Sequence, residues 1–460
     1  MSDKKQFLYA RLAEELREKI LRGDVKPGEF LPSENELCNQ YGISRISVRK
    51  SLEILAAEGL VVRRPGQGTM VSHPEQAPAA SRRRTLHLFA ISPSYYMELG
   101  MPLIVDAFVR DHPDVDVRVV NLPTSDPWEW KQALEDSGVK PDLLLLTESH
   151  YREIEQLEDY VPLTAEMRSH GGLFYPKLME HFTHNYNLMA VPVTFSPVIL
   201  AYNPHMLRES GAEQPAADWT LEQFREAWKR VTADTNGDGI CDRYGLSLSS
   251  GFSRWSTLAL QNSDSLSTLW ENPSLLRKTL ELIHQLLYED KSALLVRPGA
   301  FRLGSEPFLQ GKTAMVLTTA IELAAWRSKY LKFEPSIAPL AFGPHSSTLL
   351  MANALLLPKE APNAELAAAF IRYSVRTDIQ EQIARKAGFL SVLKMINDQV
   401  WTKEELTSML VGDFFLEGGT FYYDQMRDKH WLEEWDETMR FFWYGLESVD
   451  QTIERMEKKR

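Results

Sequence analysis

Residues 31–69 constrain the chain more than any other segment, because their turn residues and apolar spacings favour one local structure. Ser33 and Glu36 have the spacing of a capping box, which opens a short helix. Gly42 can take the left-handed conformation that a tight turn needs. The residues that follow predict a second helix over about 45–58, since their apolar side chains recur at three- and four-residue intervals.

A basic, glycine-rich hairpin follows this helix pair. The apolar residues 60–62 and 70–71 flank a tip with the sequence R-R-P-G-Q-G, which begins at Arg63. Two helices, a tight turn and such a hairpin predict an α+β winged helix-turn-helix. In this fold the second helix enters the DNA major groove by its N-terminal end. Arg45 and Arg49 stand there, and arginine can bind a guanine edge or a phosphate with two hydrogen bonds.

Three motifs in this region resemble the GntR family of bacterial transcription regulators. They are G-D-V-K-P-G-x-x-L-P-S-E-x-x-L, I-S-R-x-S-V-R-x-x-L-x-x-L-x-x-x-G-L and G-x-G-T, and the resemblance covers roughly residues 6–72. It implies double-stranded DNA as the partner, although some winged helices bind proteins instead. A homodimer on a palindromic operator is expected, because one winged helix covers only a short half-site. The candidate DNA-binding residues are Ser33, Glu34, Ser44, Arg45, Ser47, Arg49, Arg64, Gly66 and Gly68.

Charge is distributed unevenly along the 460 residues, a length that predicts two or three domains. The net charge is −12, yet residues 1–84 carry 15 Lys and Arg against 11 Asp and Glu. Residues 85–460 carry 36 against 52. Only the N-terminal part therefore suits a polyanion.

The sequence also predicts a cytoplasmic location. Cys38 and Cys241 are distant from each other, so they indicate no disulfide framework and suit a reducing compartment. The first residues lack the apolar segment of a signal peptide. No apolar run reaches the 18 residues that a membrane span requires, so we expect no contact with a membrane.

Beyond a Pro-, Ala- and Arg-rich linker at 73–85, the periodicity changes. Strands expected at 86–91, 115–120 and 142–146 alternate with helices expected at 101–110 and 128–136. This alternation predicts βαβ units and a mainly parallel sheet, whose ligands bind at the carboxyl ends of strands.

Further motifs resemble the family 1 extracellular solute-binding proteins of sugar ABC transporters. In order they are K-P-D-L-L-L-L, W-T-L-E-Q-F, D-T-N-G-D-G-I-C-D-R-Y-G-L, F-L-Q-G-K-T-A-M and Y-G-L-E-S-V-D-Q-T-I-E-R-M, over roughly residues 86–460. The resemblance implies a two-lobed α/β fold of the type II periplasmic-binding-protein class, with ligand in the cleft. We expect the first lobe at 86–196 and 310–345, and the second at 200–305 and 350–460. A glycine-leucine-proline usual in the family reads G-F-L-S here, at 388–391.

Rings that stack on sugars and a few polar groups are typical of a small-ligand cleft. The resemblance places ligand contacts in the loops after strands. On this basis the candidate ligand-binding residues are Tyr95, Tyr96, Phe195, Tyr202, Trp255, Thr318 and Thr319.

The segment from Asp234 to Asp242 is similar to the front of an EF-hand loop. The candidate calcium ligands are Asp234, Asn236, Asp238, Ile240 and Asp242. The glycine at loop position 6 provides the sharp turn, but position 12 is Gly245 and not the usual glutamate. Calcium is therefore a possible ligand and no cofactor is required. A solvated turn rich in Asp and Asn is the alternative.

The chain has no G-x-S-x-G, H-E-x-x-H, P-loop or C-x-x-C motif, so we do not expect an enzyme. The sequence predicts a DNA-binding transcription regulator controlled by a small solute, most simply a sugar or oligosaccharide. Two alternatives stay open. GntR-type winged helices also occur with aminotransferase-like domains, which need a lysine for pyridoxal phosphate. The second module could also serve as the solute-binding component of an ABC transporter.

Overall fold

The computed structural model describes most of the chain. Besides residues 9, 12–13, 15–17 and 19–20, it describes 24–57, 60–64, 68–72, 84–122, 130–168, 171–216, 218–263, 265–266, 269, 272–297, 306–412, 419–421, 424 and 429–459. No helix in these ranges is both long enough and apolar enough to cross a membrane.

The N-terminal module is a winged helix. Its elements are α1 (Glu34–Tyr41), α2 (Arg45–Ala57), β1 (Val61–Arg64) and β2 (Gly68–Val71), and the described residues between 9 and 20 are also helical. Strands β1 and β2 pair antiparallel, and Phe30 forms a bridge to Met70 beside them. As predicted, Ser33 caps α1 with Glu36 in a capping box, and Gly42 ends it with φ of +64°.

A small core holds this module together. The buried apolar side chains come from both helices, the hairpin and the N-terminal segment: Leu12, Leu16, Leu31, Leu37, Ile43, Val48, Leu52, Leu55, Val61 and Val71. Burial of one apolar face leaves the opposite face of α2 in solvent, as its spacing predicts.

The second module is built on one large sheet. Its strands are β3 (Arg84–Ile91), β4 (Val115–Leu122), β5 (Leu143–Thr147), β8 (Val191–Tyr202), β9 (Tyr244–Ser249), β10 (Ala293–Val296), β11 (Thr313–Thr319), β12 (Ser336–Ala338), β13 (Thr348–Leu356) and β14 (Gly419–Phe421). In the described chain the order is β10-β9-β11-β8-β13-β5-β3-β4, with β12 beside β8 and β14 beside β13. A separate small hairpin pairs β6 (Thr183–His184) with β7 (Asn187–Leu188).

Helices cover the sheet. They are α3 (Met101–Asp111), α4 (Trp130–Ser137), α5 (Glu148–Arg152), α6 (Pro176–His181), α7 (Pro204–Glu209), α8 (Leu221–Val231), α9 (Phe252–Leu260), α10 (Pro273–His284), α11 (Ala320–Lys329), α12 (Ala364–Ser374), α13 (Thr377–Ala387), α14 (Lys394–Val400), α15 (Lys403–Ser408), α16 (Lys429–Trp443) and α17 (Val449–Lys459). Shorter π- and 3-10-helical turns span Tyr96–Gly100, Leu157–Asp159, Gly171–Leu173 and Gln285–Glu289.

Strand β8 joins the two lobes. All twelve of its residues are buried. Its first half pairs with β13, from Val191 to Pro197, and its second half pairs with β11, from Val198 to Tyr202. The strand therefore runs through both lobes, and the sheet continues from one lobe into the other.

The lobe composition differs from the expected one. One core combines β3, β5 and the first half of β8 with residues 350–409 and helix α11. The other combines residues 198–293 with parts of 314–349 and with α16 and α17. The expectation that 350–460 forms the second lobe is therefore wrong for 350–409, because β13 pairs with β5 of the first lobe. Sequence periodicity identifies such a strand without identifying its neighbour.

The expected linker also ends earlier than predicted. Arg84 already belongs to β3, where its side chain pairs with Asp114 at 2.8 Å. Residues 73–83 lie outside the described part of the chain, so the boundary at residue 72 stays a prediction.

Candidate DNA-binding surface and ligand cleft

The recognition helix α2 presents its arginines to solvent, although both are engaged within the module. The Arg45 Nε atom lies 3.0 Å from a carboxylate oxygen of Glu34, and the Arg49 Nε atom lies 2.9 Å from the same oxygen. Desolvation alone would raise the pKa of Glu34, but hydrogen bonds from the two arginines outweigh it and lower that pKa. Glu34 thus holds both guanidinium groups beside each other on one surface.

The candidate serines differ in their accessibility. Ser33 is committed to the helix cap, where its hydroxyl accepts a hydrogen bond from the Glu36 N–H. Ser44 Oγ accepts a hydrogen bond from Ser47 N–H and lies 3.0 Å from Ser47 Oγ. Ser47 is only 5% exposed. Its hydroxyl therefore faces the start of the helix, and in this conformation it is poorly placed to meet a base edge.

The wing supports the recognition helix through an arginine that the sequence reasoning did not single out. Arg63 donates from Nη2 to the backbone oxygen of Arg49 at 2.9 Å and lies 3.6 Å from the Glu53 carboxylate. Arg64 is exposed at the end of β1, and Gly68 begins β2 with φ of +116°. Gly66 lies outside the described residues.

The candidate ligand cleft lies at the carboxyl ends of β3, β5 and β11 and beside the middle of β8, and it encloses a cavity of about 390 Å³. Four of the predicted ligand-binding residues line it: Tyr95, Tyr96, Phe195 and Thr319. The cis Ser92-Pro93 bond precedes the two tyrosines. Tyr95 accepts a hydrogen bond from Trp326 Nε1 at 3.0 Å.

Three predicted ligand-binding residues are not among the cavity-lining residues. Tyr202 stands at the far end of β8 in the second core. Trp255 is fully buried there and stacks on Trp435 at 5.9 Å. Thr318 is also buried and donates a hydrogen bond to Glu322 at 2.9 Å. Aromatic composition alone cannot distinguish a core ring from a cleft ring, because both are apolar.

One wall of the cleft carries an ion pair between Arg254 and Glu322, at 2.8 Å. Glu322 also accepts hydrogen bonds from Thr318 Oγ1 and the Thr319 N–H. Burial would raise the pKa of Glu322, but the charge of Arg254 and these hydrogen bonds outweigh the effect of burial and lower that pKa. The carboxylate is therefore ionised and fixed in place.

The cavity is also lined by Glu148, which is 2% exposed. Its carboxylate accepts a long hydrogen bond from the Ala352 N–H at 3.4 Å, and no Lys or Arg among the described residues forms a salt bridge with it. Burial raises the pKa of Glu148 to about 7. The nearby Tyr96 hydroxyl is buried without a hydrogen-bond partner in the described structure. Both residues line the cavity, so a ligand that offers hydroxyl groups would satisfy these buried polar atoms.

Glu148, Arg254 and Glu322 are the charged cavity-lining residues that the sequence reasoning missed. Each follows the carboxyl end of a strand, namely β5, β9 or β11. Ligands in open α/β sheets bind at such ends, so charged residues just after buried strands were the available signal.

The carboxylates of the acidic loop accept hydrogen bonds from within the loop itself. The Asp234 carboxylate accepts hydrogen bonds from the N–H groups of Gly237 and Gly239, both at 2.7 Å. Asp238 accepts from the Ile240 N–H, and Asp242 accepts from Thr235. No group of three or more His, Cys, Asp or Glu side chains in the described residues could hold a metal. The predicted calcium ligands therefore support the turn itself.

Gly245, at loop position 12, has a packing role. A Cβ atom added there would lie 2.3 Å from Trp228 Cα, so no larger side chain fits between β9 and α8. This close approach explains why the glutamate of an EF-hand loop is absent.

Comparison with known proteins identifies both modules. The gntR family of bacterial regulatory proteins matches residues 8–71. A bacterial extracellular solute-binding protein family matches residues 104–407. These are regulator and solute-binding families and not enzyme families. The second match covers the region that the alternative hypothesis gave to an aminotransferase-like domain, and it replaces that hypothesis.

Two curated relatives match a segment about as long as the N-terminal module. A probable fructoselysine utilization operon transcriptional repressor of Escherichia coli is 44% identical over 66 residues, which are 14% of this chain and 27% of that protein. The transcriptional repressor NagR of Bacillus subtilis is 43% identical over 72 residues, 16% of this chain and 30% of NagR. The chain thus spans less than a third of the length of these relatives.

Solved structures match the second module. An ABC substrate-binding protein of Listeria monocytogenes in complex with cycloalternan has a TM-score of 0.66 at 17% identity, covering 82% of this chain and 98% of that one. A maltose/maltodextrin-binding domain of Bdellovibrio bacteriovorus bound to maltotriose has a TM-score of 0.63 at 17% identity, covering 81% and 97%. These similarities establish the two-lobed periplasmic-binding-protein-like fold. The chain belongs to the bacterial extracellular solute-binding protein family over residues 104–407 and carries a GntR-family helix-turn-helix domain at residues 8–71.

Proposed function

We propose that this protein is a cytoplasmic transcription regulator whose binding to operator DNA is controlled by a small solute in the cleft. The observation that carries the proposal is the presence, in one chain, of a GntR-type DNA-binding module and a two-lobed solute-binding module. A protein that only delivers solutes to a transporter has no use for a recognition helix.

The exposed arginines support the DNA-binding half of the proposal. Arg45 and Arg49 are more than half exposed and project from the first turns of α2. Their pairing with Glu34 is an exposed ion pair, and such pairs are worth only about 0–1 kcal/mol. A DNA phosphate or a guanine edge can therefore replace the carboxylate at little cost. We infer a homodimer, since two half-sites give a longer operator.

The cleft chemistry supports a carbohydrate as the solute. Glu148 and Glu322 provide carboxylate acceptors in the cavity, and Tyr96 provides a hydroxyl. Sugar hydroxyls can donate to such acceptors, and the aromatic rings Tyr95 and Phe195 can pack against the apolar faces of a sugar. The proteins of similar fold named above were solved with cycloalternan and maltotriose.

The lobes also offer a mechanism for control. The Arg254–Glu322 ion pair joins α9, which packs in the second core, to α11, which packs in the first. A ligand that bridges these groups and Glu148 would favour a closed arrangement of the lobes through its differential affinity. We propose that closure changes the contact between two C-terminal modules and thereby the spacing of the winged helices. Half-sites must lie about one helical turn apart, or a multiple of it.

Reciprocal coupling tests this proposal. A thermal-shift screen of mono- and oligosaccharides identifies a ligand, because a bound solute raises the melting temperature. Its affinity is then measured with and without a duplex that the protein binds. We expect the two affinities to differ by the factor by which the saccharide changes DNA affinity, typically about 5- to 150-fold. Equal affinities for a saccharide whose binding is weakened in Glu148→Gln would overturn the sensor mechanism.

A further inference from the structure

The exposed face of the recognition helix is not uniformly polar. Ile46 is 78% exposed, the highest value among the large apolar side chains described in the winged helix. The apolar residues Val48, Leu52 and Leu55 are at most 1% exposed. With 3.6 residues per turn, Ile46 lies nearly opposite this buried face. It therefore stands at the centre of the surface that the module turns outward.

Basic groups surround this side chain. Arg45 precedes Ile46, Arg49 lies one turn further on, and both are held by Glu34. On the other side Lys50 lies over the Tyr9 ring, with Nζ 4.0 Å from the ring centroid. Arg63 of the wing donates to the Arg49 backbone. An exposed isoleucine thus occupies the middle of a positively charged surface whose partner is DNA.

The major groove offers one apolar group to such a side chain. Guanine, adenine and cytosine present hydrogen-bond donors and acceptors there, whereas thymine also presents its C5-methyl group. Ser47 is turned toward Ser44 and does not compete for this position. We propose that Ile46 reads a thymine by packing against its C5-methyl group in each half-site. This inference rests on the proposed DNA-binding function and adds a specificity-determining residue to it.

The test uses the full-length protein. A DNA sequence is first selected from a random double-stranded library, and each thymine of the selected duplex is then replaced by deoxyuridine, which lacks only the methyl group. Fluorescence anisotropy should show one position per half-site where this replacement weakens binding about fourfold, the effect of losing one buried methyl group.

The variants complete a double-mutant cycle. Ile46→Ala should weaken binding to the thymine duplex and should be insensitive to deoxyuridine at that position, since the two changes remove the same contact. Val62→Ala, which shortens an exposed apolar residue of the wing, is the matched control and should retain the sensitivity to deoxyuridine. Ile46 is exposed, so its replacement should leave the melting temperature unchanged.

The outcomes separate this inference from the proposed function. If no deoxyuridine position weakens binding, or if Ile46→Ala keeps the same sensitivity, Ile46 does not read thymine. If Arg49→Ala loses affinity in that same experiment, DNA binding by α2 stands and only the inference on Ile46 falls. If the library yields no bound sequence, the proposed DNA-binding function and the inference fail together.

Discussion

The two modules place their functional groups in opposite ways. In the winged helix, Arg45 and Arg49 are exposed and share an ion pair with Glu34 on the surface. In the cleft, Glu148 is buried and the Arg254–Glu322 pair is largely enclosed. A phosphate can replace the carboxylate of an exposed ion pair at little cost in free energy. Enclosed polar groups need hydrogen-bond partners, which a bound ligand can provide. The first arrangement suits a large partner and the second suits a small one.

The largest expected effect comes from truncating a buried side chain in the small core of the winged helix. Leu52→Ala should cost about 2–5 kcal/mol, because it leaves a cavity in a core built from few side chains. Calorimetry should show loss of the winged-helix transition and of DNA binding, while saccharide binding persists. Leu276→Ala, at a position 2% exposed in the second core, is the matched control. Loss of saccharide binding in Leu52→Ala would show that the modules do not fold separately.

Arg49→Ala tests the exposed surface itself. Truncation should cost about 1–3 kcal/mol of DNA affinity if the guanidinium reads a base, and should lower the salt slope by about one if it holds a phosphate. Saccharide affinity should not change. Arg385→Ala removes the same charge from an exposed arginine on α13 and should leave DNA binding intact. Equal affinities of the Arg49→Ala and wild-type proteins for the selected duplex would contradict the assignment.

The pH dependence of saccharide affinity tests the role of the buried Glu148 carboxylate in the cleft. Burial raises the pKa of Glu148 from 4.5 to about 7. The folded state therefore holds this proton more tightly than the unfolded state between these values, and the contribution of Glu148 to stability falls as pH rises across that window. A ligand that donates to the carboxylate favours its ionised form. Its affinity should increase with pH up to about 7, by at most about tenfold per unit.

Titration of the identified saccharide at several pH values, by calorimetry, measures this effect. The Glu148→Gln protein should bind more weakly, and its affinity should lose the dependence on pH in this range. If the affinity of the wild-type protein for the saccharide does not change between roughly pH 5.5 and 7.5, Glu148 does not accept a hydrogen bond from the ligand.

The smallest expected effect concerns the acidic loop. Its carboxylates lie at the surface, as the arginines of the winged helix do, and they accept hydrogen bonds within the fold, as the cleft carboxylates do. Hydrogen bonds from backbone N–H groups, first that of Gly239, lower the pKa of Asp234. The stabilisation by Asp234 is therefore present above its usual pKa and is lost as the pH falls through the lowered value. Asp234→Ala should lower the melting temperature slightly at neutral pH. Added calcium should change neither protein, and a calcium-dependent rise in the wild type alone would restore the metal-site prediction.

Much of the architecture could be predicted because it depends on neighbours in sequence. The capping box at Ser33, the recognition helix from Arg45 and the pairing of β1 with β2 are all local patterns, and each is present in the structure. The early strands lie within about two residues of their predicted positions for the same reason. The site was less predictable: Tyr96 and Phe195 line the cavity, but Trp255 is a core residue.

The sequence by itself determined the two modules, since helix caps, turn glycines and apolar periodicity act over a few residues. Only the tertiary structure decided the rest, because strand neighbours and cavity walls come from residues far apart in the chain. It assigned β13 to the first lobe beside β5, and it brought Glu148, Arg254 and Glu322 to the wall of one cavity. It also turned Ser47 inward and left Ile46 in solvent, since α2 had to bury one face against the small core.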